Sequence, residues 1–209
     1  MKTLFISFML VLLAAGCRKS NNDSKIVSDE IFPDKVGDTW HYLVYDTTTG
    51  GNQTTGFSQY NLDVSIVGIT TLPGGVMATI WKYQFPGFSD TSFVIRKGDT
   101  IQFLDNSINS SLIKQYVIPF SVNSSWPYSS GCNLSEITVI ERTGIRVGQT
   151  NFSNSFHLSG GVGCPDRGFI VDEWFADNIG LVQSYFNPSG GFILSTHIVK
   201  WALLSYNLK

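Results

Sequence analysis

The chain has 209 residues, a formal net charge of −2 and an aromatic content of 13%. That length suits one domain with a sizeable core, and no run of Lys and Arg offers a phosphate backbone a footprint, so nucleic acid is not an expected partner. Only 14% of residues are charged, against about 25% in typical domains; Ser, Thr, Asn and Gly fill the polar positions instead, as in exported β proteins.

The first residues have the layout of a secretory signal. Lys2 supplies one charge, Leu4 to Leu13 form a short apolar run, and the small residues Ala14, Ala15 and Gly16 precede Cys17. A membrane-spanning helix needs ~20 apolar residues, so this run is too short to be one. Leu13-Ala14-Ala15-Gly16-Cys17 resembles the bacterial lipobox, with Ala14 where Leu is commoner. The resemblance implies removal of residues 1–16, a diacylglyceryl group on the Cys17 thiol and acylation of the new amine by a fatty acid such as palmitate. Multiple acylation makes such an anchor stable. Lys2 leaves with the signal, so the mature side-chain charge is one unit more negative than that of the whole chain. Residues 17–30 are polar and aperiodic, which predicts a flexible tether. Arg18-Lys19-Ser20-Asn21-Asn22 carries no acidic cluster of the kind that resembles surface-export signals. The expected address is the cell envelope, on the periplasmic face of the outer membrane.

A single globular domain is predicted from Ile31 to Lys209, with at most one short helix near Ser28–Phe32. Tyr60, Leu62, Val64 and Ile66 alternate with Gln59, Asn61, Asp63 and Ser65, the period-two pattern of a half-buried strand. Besides 59–66, strands are expected at 39–46, 76–85, 92–97, 100–105, 112–119, 136–147, 152–159, 168–176, 180–186 and 192–206, all rich in β-branched and aromatic residues. Turn residues punctuate them: Thr49 to Asn52, Pro73-Gly74-Gly75, Lys97-Gly98-Asp99, Asp105-Asn106 and Asn187 to Gly191. Val36 to Trp40 and Val122 to Trp126 share a Val-x-x-x-Trp frame that reads as two strand starts after turns. The fold class expected is all-β, a single antiparallel, strongly curved sheet, half-barrel or sandwich-like.

After Cys17 only Cys132 and Cys164 remain, each in a turn-like context. In an oxidising compartment such a pair reads as a disulfide rather than as a redox or metal site, with two free buried thiols as the alternative.

Several segments, taken in order, carry a family resemblance. Phe32-Pro33-Asp34-Lys35-Val36-Gly37-Asp38-Thr39-Trp40-His41-Tyr42 resembles the FPxxVGxxWxY opening of small Gram-negative lipoproteins of the Bacteroidetes type. Thr143 to Asn154 resembles their Gly-Phe hairpin, with the spacing widened here to Gly148-x-x-x-Phe152. Trp174-Phe175-Ala176-Asp177-Asn178-Ile179-Gly180-Leu181-Val182 resembles a second hairpin, and Leu203-Leu204-Ser205-Tyr206 a closing strand. The resemblance implies a curved antiparallel sheet like the half-barrel of periplasmic lipoprotein carriers, and it brings no catalytic residues.

Motifs of chemistry are sparse. His41, His157 and His197 are far apart, and none has a second ligand at metal-binding spacing; inside strands they read as packed or solvated pair partners. No Gly-x-Ser-x-Gly elbow, Walker loop or dinucleotide fingerprint is present. Gly160-Gly161-Val162-Gly163 has glycines without a following helix and reads as a loop. Asp172 and Glu173 are adjacent, so on a strand they point to opposite faces and cannot act as paired carboxylates. Asp105-Asn106-Ser107 lacks the ligand count of a calcium loop. Trp40, Tyr42, Leu62, Val64, Trp174 and Trp201 are expected to be mainly structural, while a few aromatics could line a groove. The leading expectation is a lipid-anchored envelope protein with a non-catalytic binding or structural role, no cofactor and an apolar ligand or an envelope protein as partner. One alternative is a carrier or sensor of an apolar ligand on the concave face of a half-barrel; another is a hydrolase whose site converges from separate strands.

The lipobox generates the first test. Cys17→Ala is expected to abolish fatty-acid labelling and to release the protein from membranes. A wild-type protein that takes up no label and fractionates as soluble would contradict it.

Overall fold

A computed structural model describes residues 31–50, 53–106, 111–129, 136–164, 167–189 and 196–209. The signal, Cys17, the tether, Cys132 and the side chain of Cys164 lie outside the described residues, so the lipidation and disulfide expectations are not addressed by it. So do residues 28–30 of the expected short helix; Ile31 and Phe32 form a buried bend.

Twelve strands follow in order: β1 (Thr39–Gly50), β2 (Gln53–Leu72), β3 (Val76–Phe85), β4 (Phe88–Lys97), β5 (Thr100–Asp105), β6 (Leu112–Val117), β7 (Ser125–Pro127), β8 (Glu136–Val147), β9 (Thr150–Cys164), β10 (Arg167–Ala176), β11 (Gly180–Ser189) and β12 (Thr196–Asn207). They form one antiparallel sheet in the order β6-β5-β4-β3-β2-β1-β12-β11-β10-β9-β8-β7. Every pairing joins neighbours in sequence except β1 with β12. The curl exceeds a half-barrel, because the sheet closes nearly onto itself. At its edges, Gln115 N–H in β6 donates to Tyr128 O at 2.7 Å, and the Trp126 indole in β7 donates to Gln115 O at 2.9 Å.

Short turns set the register. Pro86-Gly87 joins β3 to β4 with Gly87 at φ +87°, the geometry of a turn with proline first and glycine second. This turn starts β4 at Phe88, earlier than the expected residue 92. Strand β7 has only three residues, too few for a periodic signal. It nevertheless begins, like β1, just after a turn and carries its Trp inward.

The expected alternation holds on β2, where Leu62, Val64 and Ile66 are buried. Two apolar groups fill the interior. One joins Phe32, Phe103, Tyr116, Phe120, Trp126, Phe156 and Phe175 with aliphatics of β8 and β9. The other joins Trp40, Tyr42, Val44, Leu62, Val64, Val182 and Leu203. The segment between β6 and β7 crosses from one sheet edge to the other and buries Ile118 and Phe120 as it does so. Trp174 and Phe175 take opposite faces as expected: Phe175 enters the first group, and Trp174 stacks on His157 with centroids 4.4 Å apart.

The glycine-rich stretch Gly160 to Gly163 is a correction: it lies within strand β9, not in a loop. Glycine is needed there for close approach rather than for flexibility. A Cβ on Gly160 would overlap Glu136 O and lie 2.8 Å from Ile137 Cα on the paired strand. Small size lets the β8 and β9 backbones meet.

Two substitutions test this packing. Trp40 is 2% exposed, stacks on Trp81 at 5.1 Å and donates its indole N–H to Ile179 O at 2.7 Å. Trp40→Ala is expected to lower unfolding free energy by ~3–5 kcal/mol through lost burial and a cavity. Gly160→Ala is expected to cost about 1–3 kcal/mol through backbone displacement. Denaturant unfolding measures both; a neutral Gly160→Ala would show that the two strands can move apart.

Candidate functional site

The interior is packed at one side and hollow at another. An aromatic-walled cavity of about 330 Å³ is lined by Trp40, Tyr42, Trp81, Tyr83, Phe103 and Trp201 among others, with Phe85, Asp90 and Thr91 toward its rim. A second hollow of about 420 Å³ is lined by Tyr128, Val171, Glu173, Ser184, Phe186 and Val199. Ile113, Lys114, Leu181 and Trp201 border both, so they stand at the junction. Volumes of this size fall in the range of small-ligand sites, which are mostly apolar with a few placed polar groups.

Each wall follows from strand alternation. Trp40 and Tyr42 alternate on β1, and Trp81 and Tyr83 on β3. The Tyr42 hydroxyl donates to Leu181 O at 2.8 Å. Trp81 packs edge-on against Phe103 at 5.4 Å and donates its indole N–H to Thr79 Oγ1 at 3.1 Å. At the β3–β4 turn Phe85 and Phe88 stack at 4.6 Å, and Phe88 remains 60% exposed, an apolar lip beside the cavity. At the other side Phe32 packs against Phe103, Tyr116, Phe120 and Phe175 with centroids 5.0 to 6.4 Å apart. The opening segment thus plugs the barrel.

A polar centre sits inside these apolar walls. Glu173, 2% exposed, accepts from the Tyr116 hydroxyl at 2.7 Å, from Tyr128 at 3.2 Å and from Lys114 Nζ at 3.2 Å. Lys114 Nζ also lies 5.3 Å from the Phe103 ring centre and 5.2 Å from that of Tyr116, within cation–π range. Its inward direction comes from a register shift. Phe103 pairs with Lys114 but Leu104 pairs with Leu112, so Ile113 is an extra residue. Leu112 packs on an outer apolar cluster with Ile95 and Leu104, and the bulge turns Lys114 to the opposite face, beside Phe103.

Burial holds the surrounding phenols in their protonated form. It raises Tyr116 and Tyr128 well above the ordinary tyrosine range, with the nearby Glu173 charge adding to the shift. Tyr42 is raised for the same leading reason. Burial pushes Tyr83 up to about 12; the Ser92 hydrogen bond opposes this, while Asp90 and Glu173 add to it. Around Glu173 these groups therefore act as donors and do not exchange protons near neutrality.

The three histidines each meet a carboxylate on a neighbouring strand. His41 pairs with Asp63 at 2.5 Å, His197 with Asp46 at 3.0 Å, and His157 with Asp172 at 3.0 Å and Glu141 at 3.6 Å. None of the three lines either hollow. Among the described residues no three His, Cys, Asp or Glu side chains gather to hold a metal ion. Asp172 and Glu173 do face opposite ways, one to His157 and one to the interior. Of the residues expected to be structural, Trp40, Tyr42, Leu62 and Val64 are buried, while Trp174 and Trp201 are half-buried. Trp201 borders both hollows, so it has a wall role besides packing. Glu173 stood out in the sequence only as the neighbour of Asp172, and Lys114 and Tyr116 carried no signal, because a Lys and a Glu on separate strands have no motif.

The raised tyrosines give a pH test. A phenol whose folded pKa exceeds its unfolded value of ~10 adds stability that is complete below that pH and is lost as pH climbs through the folded value. For Tyr83 the window runs from ~10 to about 12. Stability is expected to fall across that range, with tyrosinate absorbance from Tyr42, Tyr83, Tyr116 and Tyr128 emerging together with loss of near-ultraviolet dichroism. Ionisation of all tyrosines near pH ~10 in a still-folded protein would contradict the burial assignment.

No protein-family profile matches the chain. No curated protein matches it either. Among solved structures, the chain is similar to a candidate lipoprotein of Parabacteroides distasonis, at 12% identity and a TM-score of 0.44, over 85% of this chain and 98% of that one. It is also similar to an exported protein of Bacteroides fragilis described as having a YmcC-like fold, at 14% identity and a TM-score of 0.47, over 84% of this chain and 98% of that one.

Proposed function

We propose that this chain is a lipid-anchored protein of the cell envelope, on the periplasmic face of the outer membrane, that binds an apolar molecule inside its barrel and performs no catalysis on it. The observation that carries the binding reading is the aromatic-walled cavity of about 330 Å³ bordered by Trp40, Trp81 and Trp201. A nearly closed sheet with a fully packed interior would have served a structural role equally well; here packing stops at Trp81 and Trp201 and leaves room. The anchor rests on Leu13 to Cys17.

Binding is favoured over hydrolysis by the state of the interior acid. Glycoside hydrolysis needs two carboxylates flanking one bond. Glu173 is occupied by two phenols and an ammonium, and Asp90, the other acid on the cavity wall, is exposed at the rim and accepts from Thr91 N–H at 2.7 Å.

The test is to extract the protein from membranes, purify it and analyse its organic extract by mass spectrometry. Wild type is expected to carry an apolar molecule in near-stoichiometric amount. Ile113→Trp, which places a large ring at the junction of the two hollows, is expected to lose it while retaining its fold by circular dichroism. Equal background amounts from both proteins would overturn the reading.

A further inference from the structure

Two donors facing the aromatic cavity, the Lys114 ammonium and the Tyr83 hydroxyl, keep uncommitted hydrogens among the described residues. The Lys114 ammonium has three N–H groups, and among the described residues Glu173 is the one oxygen partner it reaches, at 3.2 Å. That is long for a charge-assisted bond, which is commonly 2.7–2.9 Å. Glu173 does not depend on Lys114 alone, since Tyr116 approaches it more closely, at 2.7 Å, and Tyr128 at 3.2 Å. The ammonium is thus a secondary partner of the acid and borders both hollows, with its side chain 24% exposed. The Tyr83 hydroxyl accepts from Ser92 Oγ at 3.3 Å, and its own hydrogen meets no acceptor among the described residues. A ligand that places only carbon in this cavity would leave those donors desolvated and unpaired, at a cost.

From this we infer that the ligand is an anionic amphiphile, a single-chain fatty acid or its close analogue, whose apolar chain lies along Trp40, Trp81 and Trp201 and whose carboxylate accepts hydrogen bonds from Lys114. This rests on the cavity reading above and names its ligand class. Lys114 then lies between two carboxylates, Glu173 and the ligand's head. The phenols of Tyr116 and Tyr128 hold Glu173 in place, so the ammonium turns toward the ligand without orphaning the acid. Asp90 opposes an anion only from the exposed rim, where solvent screens it. The Lys114 ammonium lies over the Phe103 and Tyr116 rings at the junction of the two hollows, where a chain lying in the aromatic cavity would present its head.

Full-length lipidated protein in phospholipid nanodiscs, photolabelled with diazirine-bearing dodecanoic acid, tests the inference, with unlabelled dodecanoic acid and 1-dodecanol as competitors. The acid is expected to compete about tenfold or more better than the alcohol, the factor expected for one hydrogen bond to a charged group. Labelled peptides should come from β3 and β12. Lys114→Arg is expected to keep the preference. Lys114→Met combined with Glu173→Gln, which removes the pair without leaving a buried lone charge, is expected to bind acid and alcohol equally. Equal competition by the two in wild type would overturn the anionic head while leaving the cavity reading intact. Persistence of the acid preference in the double variant would remove Lys114 as its anchor. Absence of interior labelling in wild type would defeat both readings together.

Discussion

The hydrogen-bonded ladder between β1 and β12 joins two six-stranded meanders, β1 to β6 and β7 to β12, into one sheet. It runs from Thr39 with Asn207 to Thr49 with Thr196. Without it, each meander would expose a long unpaired edge, a liability that closure removes. A clasp beside the ladder ties the chain ends further. Buried Asp38 accepts from the backbone N–H groups of Lys35 at 3.0 Å and Lys209 at 2.8 Å, and Lys35 Nζ donates to Lys209 O at 2.9 Å. Because the paired strands lie at opposite ends of the domain, the pairing bears the full entropic cost of a long closed loop.

Closure alone would give a symmetrical, packed barrel. A register shift breaks that symmetry. The extra residue at Ile113 turns Lys114 inward. It meets Glu173, which shares the interior face with Phe175 by plain strand alternation, while Trp174 between them stacks on His157. The interior therefore acquires one ammonium, one carboxylate and two phenols where strand alternation elsewhere places carbon. An unpaired buried acid would cost several kcal/mol. Three donors on Glu173 offset that cost, and the burial that makes them necessary also keeps the phenols protonated.

The aromatic residues divide into two uses. Phe32, Phe120, Phe156 and Phe175 interlock around Tyr116 at 5.0 to 6.4 Å and fill one side of the barrel. Trp81, packed on Trp40 and Phe103, and Trp201, packed on Tyr42, also line the hollow. The same ring chemistry thus makes a rigid floor and an accommodating wall. Rigidity on the Tyr116 side holds the polar centre still beside the open chambers, the arrangement a binding site needs for its few polar groups.

Local order was legible in the sequence. Period-two alternation on β2, and β-branched and aromatic enrichment between turn residues elsewhere, mark eleven of the twelve strands, and the Val-x-x-x-Trp frames mark the starts of β1 and β7. These signals depend on neighbours in the chain, on the pleat and on turn chemistry, so a single sequence carries them. The lipobox is likewise local. The close approach at Gly160, the inward turn of Lys114 and the meeting of Lys114, Tyr116, Tyr128 and Glu173 were not legible. Each depends on which strands lie side by side and in what register, and one inserted residue reverses the face of everything beyond it. Sequence alone therefore determined that the chain is an antiparallel β protein rich in inward-facing aromatics, preceded by a segment that resembles a lipobox. Only the tertiary structure decided that the sheet closes, that its interior is part hollow and that a charged pair stands in that space, because those features arise from contacts between residues far apart in the chain.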